Sequence, residues 1–313
     1  MSEERWDSPA KIAELRAAGE AGGLARIFRS DEDCLKRFLR ARRGDTAKAL
    51  QMLLEHQAWR RSETPWWPAK ACPLPSIAED WKAGKAYIHG EDKTGSTLAF
   101  VQAALHDKNE DRAQLKRFIA FLNDEAVARL DASAVEPKPS QMTIIVSFTG
   151  FGYSAGFDVG AGMLIIQTLS NHYPERAWAG AARRVWPVLG LNSLCLSLSL
   201  SRPAGLKRIV MTNTPFVFNA FWALVKVFLD ERTSKKIMFL KQEEIPAKLD
   251  LSLDQLPGFL GGTSAYKYDP AHVLGTDGEG AGSQMLSVTR GPTSLSAEEL
   301  ARAWEGLKEE TPK

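Results

Sequence analysis

Three short apolar runs, Thr143 to Phe148, Ile209 to Thr212 and Ile237 to Leu240, recur from the middle of the chain onward with helix-length segments between them. Strands separated by crossovers of that length lie parallel, because a tight turn can only join antiparallel neighbours. Ahead of them, Ala86 to Ile88 and Leu98 to Val101 flank the turn signal Glu91-Asp92-Lys93-Thr94-Gly95, which reads as a hairpin. Leu115, Phe118, Ile119, Leu122, Ala126 and Leu130 mark one strongly amphipathic helix, and Met163 to Leu169 belongs to another that closes near Tyr173. Alternating strands and helices of this kind predict an α/β fold with a largely parallel sheet.

The first third reads as helical. Cys34, Leu35, Phe38, Leu39 and Arg42 recur at helical spacing behind Asp31, a suitable N-cap; Gly44 ends that helix and Asp45 caps the next, which runs through Leu50, Leu53, Leu54 and Trp59. A proline-punctuated linker follows at 64–75. The expected organisation is a flexible N-terminus at 1–24, a helical subdomain at 25–75, an α/β domain at 76–270, and a Gly-rich, largely disordered tail at 271–313 with a short helix near Ser296.

Charge and cysteine content narrow the function. A formal net charge of +2 over 313 residues supplies no global basic field for nucleic acid. Cys34, Cys72 and Cys195 are too sparse for a disulfide framework and fit a reducing compartment. The first residues carry no apolar run, and the most apolar stretch, Val185 to Leu200, is shorter than the about 20 residues a spanning helix needs. A cytoplasmic, monomeric protein that touches membranes peripherally is expected.

Catalytic patterns are missing. His56, His89, His106, His172 and His272 are scattered, without metal-ligand spacing, and no GxSxG elbow, P-loop or HExxH occurs. The Gly150-Phe151-Gly152-Tyr153-Ser154-Ala155-Gly156 loop is one residue too long for a dinucleotide fingerprint. Neither enzyme activity, a cofactor nor a metal is expected.

Two features point to a ligand. From Phe216 to Leu229 the only charge is Lys226, so this helix is apolar on every side: either it is wholly buried, or it is a lid with one face on a bound acyl chain and the other on a bilayer. Arg37-Phe38-Leu39-Arg40-Ala41-Arg42-Arg43 is either a solvated basic face or a phosphate site, and Thr233-Ser234-Lys235-Lys236 is either a polar turn or its hydroxyl-and-ammonium counterpart.

Taken together, these segments resemble the CRAL-TRIO lipid-binding family, of the fungal phosphatidylinositol transfer type. The resemblance rests on 37–43, on Asn171-His172-Tyr173-Pro174-Glu175-Arg176, on 213–222, on Lys226-Val227-Phe228-Leu229-Asp230, and on Leu256-Pro257-Gly258-Phe259-Leu260-Gly261-Gly262, which matches the family's terminal Pro-x-x-x-Gly-Gly. It implies a helical N-terminal subdomain packed on an α/β lobe that encloses one phospholipid in an apolar cavity. It further implies that the inositol phosphate is held by Arg42, Arg43, Glu175, Thr233 and Lys236, and that Phe218, Phe221, Trp222, Val225 and Phe228 form the gate against the acyl chains. The implied role is exchange of phosphatidylinositol between membranes; the alternative is a lipid-sensing module that presents phosphatidylinositol or another hydrophobe to a lipid kinase or trafficking partner. Two departures stand out: Gly95-Ser96-Thr97 replaces the family's Gly-Arg-Pro, and Thr143 is the only counterpart of the family's choline-site residues.

One segment does not fit the resemblance. Joining Arg176 directly to Leu206 restores the family's strand spacing, so the roughly 29 residues from Ala177 to Gly205 are an insertion. Its Ser193 to Gly205 portion is nearly all Leu, Ser and Pro, which pyrimidine runs encode, and its Pro203-Ala204-Gly205 end fits a splice acceptor. The segment reads as a translated, unspliced intron; a true loop or a membrane-inserting hairpin are the alternatives.

Overall fold

A computed structural model describes residues 6–67, 77–133, 135, 139, 141–152, 158–173, 206–216, 218–219, 222–223, 235–268, 298 and 302. Four helices open the chain: α1 (Pro9–Ala21), α2 (Arg26–Ser30), α3 (Glu32–Ala41) and α4 (Thr46–Glu63). The expectation of a flexible stretch over 1–24 is corrected only at Pro9–Ala21, where α1 forms; residues 1–5 lie outside the described residues. Ser8 accepts a hydrogen bond from the Lys11 amide and Pro9 occupies the first turn, so α1 starts cleanly; Ile12 and Leu15 then bury against Leu24, Phe28, Leu35 and Leu39. The polar residues between those anchors mask the helical stripe in the sequence.

Asp31 caps α3 and Asp45 caps α4 as their positions predict. The turn between them needs two left-handed residues, Arg43 at φ 54° and Gly44 at φ 77°. Trp6 lies against Gly44 so closely that a side chain there would press on its backbone.

The α/β lobe contains a five-stranded sheet in the order β1 (Ala86–Glu91), β2 (Thr97–Gln102), β3 (Met142–Ser147), β4 (Leu206–Thr212) and β5 (Ile237–Leu240). Only β1 and β2 are antiparallel; the remaining pairs are parallel, as the strand–helix alternation requires. Where the family has Gly-Arg-Pro, the β1–β2 hairpin is held by Asp92, which accepts from the Thr94 and Ser96 amides and from Lys207 of β4 at 2.6 Å. The helices α5 (Ala78–Ala83), α6 (Arg112–Ala132) and α7 (Val159–His172) complete the lobe with a short C-terminal helix, Ile245–Leu249.

Strand alternation gives the sheet two different faces. Leu98, Phe100, Ile145 and Val210 pack with Ile245, Leu249, Leu251, Leu256 and Leu260 in the main core. The terminal glycines of the Pro-x-x-x-Gly-Gly motif are explained by this packing: Gly261 has φ 73°, and a Cβ on Gly262 would collide with the Leu256 carbonyl. Ala99, Val101, Met142, Ile144, Val146, Ile209 and Met211 face the other way, toward α6 and α7.

Candidate functional site

Between that second face and the helices lies a cavity of about 380 Å³. Its wall on α6 is Leu115, Phe118, Ile119 and Leu122; its wall on α7 is Ala161, Ile165 and Leu169. Each set repeats at three- and four-residue spacing, so one face of each helix is turned inward. Phe218 and Trp222 also line the cavity, one helical turn apart. Phe218 is 2% exposed and packs edge-on to Phe148, with ring centroids 5.0 Å apart. Trp222 reaches Phe239 of β5 at 5.2 Å. Phe239, at the edge of this cluster, is 43% exposed, and Phe216 is 85% exposed.

Two of the five expected gate residues, Phe218 and Trp222, are therefore at the cavity; Phe221, Val225 and Phe228 lie outside the described residues. Of the expected headgroup set, Glu175 and Thr233 also lie outside them. Arg42 caps the C-terminus of α3 and is partly buried, Arg43 follows it exposed, and Lys236 is partly buried just before β5. None of these three lines the apolar cavity. The arginine motif is divided by its partners: Arg40 pairs with Asp7 at 2.6 Å and Arg37 faces Asp31 at 3.7 Å. Left-handed backbone at a non-glycine residue costs roughly 1–2 kcal/mol, so the conformation of Arg43 is a strained one, of the kind that concentrates at ligand sites. Thr143 does not face the cavity. Met142 and Ile144 do, so its side chain, 2% exposed, is turned to the opposite side of the sheet, and its reading as a choline-site counterpart does not hold.

Sequence reasoning missed the polar end of the cavity. Lys85, His106 and Asp158 all line it. His106 Nε2 is 3.0 Å from Asp158 and its Nδ1 is 3.1 Å from Glu110. Asp158 also caps α7 through the Ala161 amide and pairs with Arg112 at 2.6 Å. Lys85 pairs with both Glu110 and Asp80. The spacing of His106 and Glu110, four residues apart before a helix, is the only local hint; Asp158 arrives from a distant loop.

A second buried cluster joins α4 to α6 and α7. Arg60 donates to both oxygens of Asp124, and the Tyr173 hydroxyl donates to Asp124 as well. Trp59 stacks on His172 at 4.0 Å. The helical subdomain is thus anchored to the wall of the cavity.

The CRAL/TRIO domain model matches residues 82–179 and 197–262, and the CRAL/TRIO N-terminal domain model matches 11–55. The chain belongs to the CRAL/TRIO family. The N-terminal match begins inside α1, in line with the helix found there, and the main match breaks at 180–196, within the segment 177–205. Among CRAL/TRIO relatives, the chain is 25% identical over 276 residues to the phosphatidylinositol transfer protein CSR1 of Eremothecium gossypii, covering 82% of this chain and 53% of that protein. It is 23% identical over 277 residues to the CRAL-TRIO domain-containing protein C3H8.02 of Schizosaccharomyces pombe, with the same coverage, 82% and 53%. It thus spans about half the length of these curated relatives. The crystal structure of Sfh5 shares the fold, with a TM-score of 0.51 at 16% identity over 78% of this chain and 84% of that one. No helix among the described residues is long and apolar enough to cross a membrane, and no cluster of three metal-capable side chains occurs among them.

Proposed function

We propose that this CRAL/TRIO protein is a phosphatidylinositol carrier, which takes one phospholipid into its cavity and exchanges it between membranes without catalysing a reaction. The observation that carries this reading is the apolar cavity enclosed by the sheet, α6 and α7, with Phe218 and Trp222 at its edge. Its volume of about 380 Å³ falls within the about 300–1,000 Å³ of small-molecule sites, at the low end. Outward movement of the segment bearing Phe218 and Trp222 enlarges it for two acyl chains. The name of the relative CSR1 favours phosphatidylinositol as cargo.

Burying acyl chains contributes about 0.8 kcal/mol per CH₂, but a bilayer offers the same. Net preference therefore comes from the headgroup, held by Arg42, Arg43, Glu175, Thr233 and Lys236: the cations and the hydroxyl take the phosphate, and Glu175 accepts from inositol hydroxyls. Exposed Phe216 and Phe239, beside Trp222, supply an apolar contact for transient docking on the bilayer. Native mass spectrometry of the purified protein, followed by lipid extraction, is expected to find phosphatidylinositol at one per chain. Recovery of empty protein that takes up no phospholipid from vesicles refutes the proposal.

A further inference from the structure

The ionic groups at the polar end of the cavity form an alternating chain: Arg112, Asp158, His106, Glu110, Lys85, Asp80. It crosses four parts of the fold, from α5 through the residue before β1 and the approach to α6 to the first turn of α7. Asp80, Lys85, Glu110 and Asp158 have side chains only 4–8% exposed. His106 is the link between the α6 approach and α7.

Both of its ring nitrogens face carboxylates, at 3.0 and 3.1 Å. A neutral imidazole has one N–H and one lone pair, so it can serve only one of them and repels the other. Both contacts are favourable only for the imidazolium, whose Nε2–H donates to Asp158 while its charge faces Glu110 Oε1 as an ion pair. With His106 charged, three cations meet three carboxylates and the chain is neutral; without that proton the chain carries one uncompensated negative charge, and one of the two buried carboxylates faces a lone pair. Arg112, the other group on Asp158, is 43% exposed, so its hold is screened by water.

We propose that His106 is a doubly protonated latch that pins the first turn of α7 to the 103–111 segment, shuts one end of the cavity, and releases α7 when it loses a proton. The Glu110 carboxylate is the largest influence on the ring; burial opposes it, the bond the ring donates to Asp158 adds to it, and the pKa is raised above that of an ordinary histidine. The latch is therefore complete at acid pH, below the ordinary histidine value. It opens as pH rises through the raised value. On the acid side it persists, because Glu110 and Asp158 are held below the usual carboxylate range: burial resists their ionisation, but the neighbouring His106 and Lys85 at Glu110, and hydrogen bonds from the Ala161 amide, Arg112 and His106 at Asp158, outweigh it.

The consequence for lipid exchange rests on the carrier reading, so two measurements are needed. Ring ¹⁵N spectra of the full chain, followed across pH, are expected to show His106 losing its second proton only above the ordinary histidine value of about 6.5; a ring that is already neutral below that value overturns the proposal. Release of pyrene-labelled phosphatidylinositol from loaded protein is expected to quicken about tenfold between pH 6.5 and 9, the scale of losing one charge-assisted hydrogen bond. The H106Q variant, which mimics the neutral ring, releases at the fast rate at both values. A flat wild-type profile, or the wild-type slope in H106Q, overturns it. If the protein loads no phosphatidylinositol at any pH, the carrier reading falls, and the ring spectra together with amide-exchange protection of 159–172 still decide the latch.

Discussion

Arg60 and Asp124 meet as a bidentate pair, each carboxylate oxygen 2.7 Å from a guanidinium nitrogen, with both side chains about 95% buried. The pair fastens α4 to α6, and Tyr173 at the end of α7 completes it by donating to the same carboxylate. Removing one member leaves the other charge buried and unpaired, which costs about 3–5 kcal/mol. Arg60→Leu or Asp124→Leu is expected to lower stability by that amount in urea titrations, whereas replacing both with leucine recovers part of the loss.

Filling the cavity separates the space from the scaffold. Ile144 sits on the central strand and points into the void. In Ile144→Trp the added ring occupies that space, so uptake of phosphatidylinositol is expected to be lost. The Tm is expected to shift by less than about 4 °C, corresponding to under ~1 kcal/mol for a domain of this size. Undiminished uptake places the lipid elsewhere.

The headgroup assignment is tested at two positions that avoid the core. Arg43 is exposed and Lys236 partly so. Each charge-assisted hydrogen bond contributes about 1.5–3 kcal/mol, so the double substitution Arg43→Ala with Lys236→Ala is expected to weaken phosphatidylinositol binding by a hundredfold or more. Circular dichroism and Tm remain those of the parent. Transfer at the parental rate removes these residues from the site.

Acidification acts on the joint between subdomain and lobe. His56 and His172 approach with their Nδ1 atoms 3.5 Å apart. Burial, then the neighbouring Arg60 and Lys116, push His172 down to about 3, and burial with Arg60 likewise lowers His56. The unfolded chain takes up these protons first, at the ordinary histidine pKa of about 6.5. Stability is therefore full above that pH and declines as pH falls below it. The urea midpoint is expected to drop between pH 6.5 and 5, and to drop less in His172→Phe.

The segment from Ala177 to Gly205 separates α7 from β4, a joint that ordinarily takes about 2–6 residues. Nothing in the pairing of β4 with β3 or β5 calls for a long connection. We propose that it is a retained intron. Sequencing the spliced transcript is expected to show Arg176 joined to Leu206, and a protein lacking 177–205 to be more soluble and to bind lipid better. A main transcript that encodes the segment refutes this.

Much of the architecture was written in local signals. Asp31 and Asp45 announce their helices because an N-cap works within one turn, and the apolar runs at 143–148, 209–212 and 237–240 announce buried parallel strands. Phe218 and Trp222 stood out because a helix without a polar face demands an apolar surrounding. The helix α1 was hidden because only three of its residues bury, too few to show through the polar ones between them.

Sequence alone therefore determined the fold class and the apolar character of residues 216–229, since both follow from patterns that act over a few residues. Tertiary structure decided which face of each strand meets the cavity, turning Thr143 away and Ile144 in. It also decided where buried charges find partners. Arg60 reaches Asp124, and His106 reaches Asp158, across dozens of residues of chain. Such pairs leave no periodic trace, because Coulomb attraction and hydrogen bonding depend on distance in space and not along the chain.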